Sequence, residues 1–221
     1  MKPRPLPTIG VVTILGAVTM LAGCGGLLET TVPAPQSYVL RLPPPAAPTA
    51  AGATPPAAAG SLLVQRPDAG PGLESERIVL LRSEHRFDFY AASQWAAPAP
   101  DIVAGVMVDA LRAGGSFSAV FDDHSPYAPR YNLRCGLRRF EADYTETNGG
   151  APTVHVALDC TLGRHRDRTL LGNFIVDGAA PASDDRLGAV IAAFDTATQS
   201  AMQALVKQID AALSRETPPA N

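Results

Sequence analysis

The reactive side chains of this 221-residue chain are few: three cysteines, four histidines and a short arginine run, Arg164-His165-Arg166-Asp167-Arg168. His85, His124, His155 and His165 are scattered, without the spacing that sets two imidazoles on one zinc ion. Asp122-Asp123-His124 suggests a metal cluster, but Ser125-Pro126 follows it and the segment reads as a polar turn. Ser116 lacks the Gly-x-Ser-x-Gly elbow of an acyl-transfer nucleophile, and the two glycines before it are those a helix end requires. Cys160, His165 and Asp167 straddle a hairpin turn, where a solvated loop is the simpler reading. No catalytic set, metal site or cofactor is expected. The arginines can hold a phosphate or a partner's carboxylates, or simply solvate a hairpin tip. Trp95, the single tryptophan, lies among alanines and prolines. It either pins that loop to the core or is an exposed anchor for a partner.

Cys24 belongs to a different pattern. Lys2 and Arg4 precede an apolar run from Ile9 to Leu21, shorter than the roughly 20 residues that cross a bilayer. A basic start and a short apolar stretch are the marks of a signal peptide. The run ends in Leu21-Ala22-Gly23-Cys24, which resembles the lipobox of bacterial lipoproteins. That resemblance implies diacylglyceryl transfer to the Cys24 sulfur, removal of residues 1–23, and acylation (palmitate) of the new N-terminus. Several acyl chains anchor stably, at about 0.8 kcal/mol per buried CH₂.

Removing residues 1–23 takes Lys2 and Arg4 from the 18 basic residues, leaving 16 against 21 acidic ones, a formal charge of −5. Nucleic acid, which demands concentrated positive charge, is not an expected partner. With Cys24 lipidated, Cys135 and Cys160 remain. In an oxidising compartment they make one disulfide, the alternative being two buried thiols.

The elements that must position these residues are legible from periodicity. Residues 24–36 read as a lipidated tether, 37–214 as a single domain and 215–221 as a tail. Ser37–Leu42 alternates as a first strand, and Pro43–Gly60, almost wholly Pro, Ala, Thr and Gly, reads as a disordered insertion. Strands are expected at Leu62–Gln65, Arg77–Ser83 and Arg86–Tyr90, with a turn between the first two. A helix begins at Pro98–Asp101 and stops at Gly114-Gly115, and Phe117–Phe121 returns as a strand. Three strands fill Arg130–Asp177. Pairing that sets Cys135 opposite Cys160 leaves a four-residue loop, Glu146–Gly149. A two-residue Asn148-Gly149 turn instead places the cysteines diagonally, at about 7–8 Å, too far for a relaxed bond. Ser183, with Asp184 and Asp185 in the first turn, is expected to cap a long final helix. The whole is an α+β fold: an antiparallel-rich sheet with two helices packed on one face, the C-terminal helix long.

Several packing patterns occur in a fixed order: Tyr38-Val39-Leu40; Leu62, Val64, Gly72, Leu73, Arg77 and Ile78; Tyr90 and then Trp95-Ala96-Ala97-Pro98; Leu133, Leu137, Phe140 and Tyr144. Behind a lipobox, this order resembles the ABC-type transport auxiliary lipoprotein family, which includes paraquat-inducible protein C. The resemblance implies a non-enzymatic subunit of a system pairing an inner-membrane ABC transporter with envelope-bridging MCE-domain proteins. The lipoprotein would dock the far end of that bridge. Gly25, where Asp would retain a lipoprotein in the inner membrane, implies the periplasmic face of the outer membrane. Candidate docking residues are Tyr90, Trp95, Arg164, Arg166 and Arg168, facing an MCE protein or other copies of the chain. The second reading is a free-standing periplasmic carrier with a hydrophobic ligand between helices and sheet, which demands an apolar cavity of several hundred Å³.

Overall fold

A computed structural model describes residues 34–42, 59–82, 86–145, 147 and 150–216. The signal peptide, Cys24, residues 43–58 of the insertion, Ser83, His85, the Asn148-Gly149 pair and residues 217–221 lie outside the described residues. The elements run β1 (Gln36–Tyr38), β2 (Ala59–Val64), β3 (Asp68–Ala69), β4 (Arg77–Arg82), β5 (Arg86–Trp95), α1 (Ala99–Gly114), β6 (Phe117–Phe121), β7 (Tyr131–Asp143), β8 (Thr153–Arg164), β9 (Leu170–Pro181) and α2 (Leu187–Ser214).

β7 is the spine of the sheet. Along one side it pairs antiparallel with β8 over its full length, and β8 pairs antiparallel with β9. Along its other side three short strands follow one another in parallel: β2 against Tyr131–Leu133, β3 against Gly136–Leu137 and β4 against Glu141–Asp143. β5 pairs antiparallel with β4, and β1 and β6 close the two flanks in parallel on β5 and β2. α1 packs on β2 and β6, α2 on β8 and β9, and the helices touch each other. The α+β fold with a long C-terminal helix is therefore observed, the antiparallel ladders being the long ones.

The core face of β7 changes parity. Tyr131, Leu133, Cys135 and Leu137 are buried, and then Phe140 and Ala142. A register shift between Leu137 and Arg139 leaves Arg138 as an extra residue, so the strand turns its even positions inward. β8 keeps one parity throughout, burying Val154, Val156, Leu158, Cys160 and Leu162. Cys135 stands directly opposite Cys160 with the Cα atoms 4.1 Å apart, and the two are disulfide-bonded. Their sequence separation is 25. Replacing both with alanine is expected to cost about 3–4 kcal/mol, the loop-closure entropy of a chain segment of that length. Urea unfolding of the oxidised protein and the double variant checks it. Equal midpoints would mean that the bond constrains nothing.

Several expected boundaries move. Gln36, placed in the tether, is paired in β1, which ends at Tyr38 rather than Leu42. Ala59 and Gly60, placed in the insertion, begin β2 because their backbones pair against β6. Asp68–Ala69, read as turn, docks as β3. β5 continues past Tyr90 to Trp95 through an irregularity at Ala92, whose φ is 50°. α1 ends as expected, with Gly115 at φ 71° in the left-handed region. α2 begins at Leu187, not after Ser183, with Arg186 at the N-cap position and no acid in the first turn. The acids are used elsewhere: Asp184 accepts the Arg186 N–H at 2.7 Å and Asp185 accepts the Tyr144 hydroxyl.

Candidate functional site

Trp95 is a core residue. Its side chain has 0% exposure, with ring centroids 5.4 Å from Phe140 and 5.1 Å from Phe194, which lie 4.9 Å from each other. Its backbone N–H donates to Glu76 O, and the next amide donates to Tyr38 O. The reading of Trp95 as an exposed anchor is thereby corrected. The loop before α1 is pinned by a ring that fills the space between β7 and α2.

Tyr90 is half-buried, and its hydroxyl shares a 2.8 Å hydrogen bond with the Tyr144 hydroxyl, which donates to Asp185. The Arg82 guanidinium lies over the Tyr144 ring, 5.5 Å from its centroid. Burial, together with the bonds to Asp185 and Tyr90, pushes the Tyr144 hydroxyl far above its ordinary range, and burial raises Tyr90 as well. Both phenols stay protonated. The cluster joins β5, the end of β7 and the start of α2, and no spacing in the sequence pointed to Tyr144 or Asp185 as its members.

The three arginines of the β8–β9 turn separate by role. Arg164 is the inner one: it lies 3.1 Å from Glu216 and 3.3 Å from Asp167. Glu216 also accepts the Tyr131 hydroxyl at 2.7 Å, so this residue, two positions past the end of α2, is tied to β7 and β8. Arg166 and Arg168 are exposed, with no ion pair among the described residues, and Arg168 has a φ of 56° at the turn. Around them is a cleft of about 650 Å³ that includes Asn132 and His165, whose side chains are hydrogen-bonded at 2.9 Å.

A larger concavity lies elsewhere. A groove of about 1220 Å³ runs between α1 and α2, with Leu40, Leu42, Val106, Ala110, Met202 and Val206 in its walls. No strand residue lines it, so it is an outer groove of the helix layer and not a cavity between helices and sheet. Arg41 borders it and is fastened by its backbone N–H to Asp195 of α2, at 2.8 Å. Burial raises the Asp195 carboxyl above its usual range.

Ser116 donates to Asp210, and His124 lies beside Asp123, fully in solvent at the Asp122 turn. Among the described residues no group of three His, Cys, Asp or Glu is placed to hold a metal ion, and no helix is long and apolar enough to cross a membrane.

A Xanthomonas campestris protein from a family of unknown function has a similar structure, with a TM-score of 0.66 at 26% identity, over 81% of this chain and 96% of that one. A second, uncharacterised protein shares the fold with a TM-score of 0.61 at 13% identity, over 80% and 99% of the two chains. A putative lipoprotein of Caulobacter crescentus is a more distant likeness, with a TM-score of 0.37 at 17% identity, over 52% of this chain and 86% of that one. No curated protein matches the chain. The model of one family matches residues 38–210, from the first strand to the last turns of α2. The chain belongs to the ABC-type transport auxiliary lipoprotein component family.

Proposed function

We propose that this protein is the lipid-anchored docking subunit of an ABC/MCE-type intermembrane lipid transport system, held by acyl chains on Cys24 at the periplasmic face of the outer membrane and acting without catalysis. The observation that carries this reading is the family match over 38–210 behind the Leu21-Ala22-Gly23-Cys24 sequence. Tyr90, Arg166 and Arg168 remain the proposed docking residues, exposed arginine being a common anchor at interfaces. The carrier reading lacks support where it needs it most. A Cβ on Gly178 of β9 would lie 2.0 Å from the Ala197 carbonyl oxygen of α2, which leaves no space for a ligand there.

The test is co-purification of the full-length chain, extracted in detergent from cells that also express an MCE-domain protein of the same organism. The MCE protein should be retained by the wild type and lost at least partly with Arg166→Glu combined with Arg168→Glu. Cys24→Ser should abolish membrane anchoring, with mass spectrometry showing acylated Cys24 at the wild-type N-terminus. A chain that retains no MCE protein but releases a lipid on extraction is a carrier instead.

A further inference from the structure

The strand β9 runs twelve residues, Leu170–Pro181, and among the described residues it pairs with β8 alone, leaving its outer edge without a partner. Which backbone groups are free follows from the ladders. The His165 N–H donates to Arg130 O, so alternate pairs from 130/165 are the hydrogen-bonded ones between β7 and β8. Cys135 and Cys160 are then a non-bonded pair, as their 4.1 Å Cα separation requires. Cys160 therefore points its backbone toward β9, where it faces Phe174. At the far end the Ala182 N–H donates to Pro152 O, in the same phase. Even-numbered residues of β9 thus bond to β8, and Asn173, Ile175, Asp177 and Ala179 aim their N–H and C=O groups away from the sheet. Pro181 sits in this outward set, where its missing N–H costs no ladder bond.

The usual protections of an edge are missing from the middle of this one. Strand edges are blunted by lysine, proline or a bulge; here residues 172–180 carry a single charge, Asp177, and the irregularity lies at the start, near Leu170. Val176 and Ala180 are buried on the core face, with Gly178 against α2. On the opposite face Ile175 is 67% exposed, the most exposed large apolar residue on the strand. The Asn173 and Asp177 side chains make no hydrogen bond among the described residues.

We propose that β9 pairs with β9 of a second copy of this chain, antiparallel about Ile175, joining two sheets into one. A second copy is the fitting occupant because the register is self-complementary. Ile175 meets its own mate, and Asn173 amides face Asp177 carboxylates on either side. Centring on Asp177 would oppose two carboxylates, and centring one residue on would set Ile175 against Asp177. The contact is two-fold, the same patch on both subunits.

Cysteine trapping tests it on the full-length chain, since the probe positions are exposed. Across the two-fold, Ile175 should lie about 5.5 Å from its mate, within the Cα range of a disulfide, about 4.4–6.8 Å. Ala179 should lie about 27 Å from its own, eight residues of strand away. Mild oxidation of Ile175→Cys should give about tenfold more covalent dimer than Ala179→Cys, and mixing Asn173→Cys with Asp177→Cys should cross-link where neither variant does so alone. The proposal is overturned if Ile175→Cys stays monomeric, if Ala179→Cys cross-links to itself equally, or if Ile175→Cys captures a different polypeptide.

Discussion

Gly178→Ala should cost about 3 kcal/mol, the upper part of the range for overpacking a filled interior. For a chain of this size that lowers the melting temperature by about 6–12 °C. The added methyl would meet backbone, not a side chain that can swing away. Its carbon would lie 2.0 Å from Ala197 O and 2.7 Å from Ala201 N, and both alanines are fully buried. Either α2 lifts from β9, opening the seam along its neighbours, or the strand retreats and strains its ladder with β8. Gly172→Ala is the control on the same strand. Its nearest neighbours would be the Ala212 Cβ and a Phe174 ring carbon, both at 3.4 Å, close to ordinary contact, and the change should stay within about 1 kcal/mol. Thermal unfolding followed by circular dichroism separates the two. If Gly178→Ala melts with the wild type, α2 is free to ride above the sheet, and a ligand space between them becomes tenable again.

The parts of the fold that could be read from the sequence are those set by local pattern. The helix stop at Gly114-Gly115, the Phe117–Phe121 strand and the opposition of Cys135 to Cys160 all follow from periodicity, from a residue suited to positive φ, or from the reach of a disulfide. What could not be read was decided by distant partners. Asp68–Ala69 has turn residues on both sides and is a strand only because β7 offers an edge there. Ser183, Asp184 and Asp185 have the composition of a helix start, yet Tyr144 claims Asp185 and the helix begins later. The bulge at Arg138 had a visible signal, since Leu137 and Phe140 are three apart where a regular strand would keep an even spacing. The candidate surface divided in the same way. Arg166 and Arg168 fall on a hairpin tip as their polarity suggested, whereas the environment of Trp95 depended on Phe194, ninety-nine residues on, and no local pattern carries that information.

Trp95→Ala should destabilise the domain by about 3–5 kcal/mol, the cost of emptying a buried aromatic site, while leaving partner binding by the folded fraction unchanged. The ring closes a triangle with Phe140 of β7 and Phe194 of α2, so its removal loosens sheet and helix together. Trp95→Phe should cost about half as much or less. It keeps an aromatic face against both rings and deletes an indole N–H that is buried with no acceptor among the described residues, a group whose burial is itself unfavourable by about 1–3 kcal/mol. Denaturant titration orders the three proteins as wild type, Trp95→Phe, Trp95→Ala. As the single tryptophan, Trp95 also reports its own burial through a blue-shifted emission that moves red on unfolding. The decisive comparison is with Arg166→Glu and Arg168→Glu, exposed changes expected to leave the midpoint nearly where it was and to weaken retention of the MCE protein. Trp95→Ala should do the reverse. A Trp95→Ala protein that melts normally but no longer retains the partner would return the tryptophan to the docking surface.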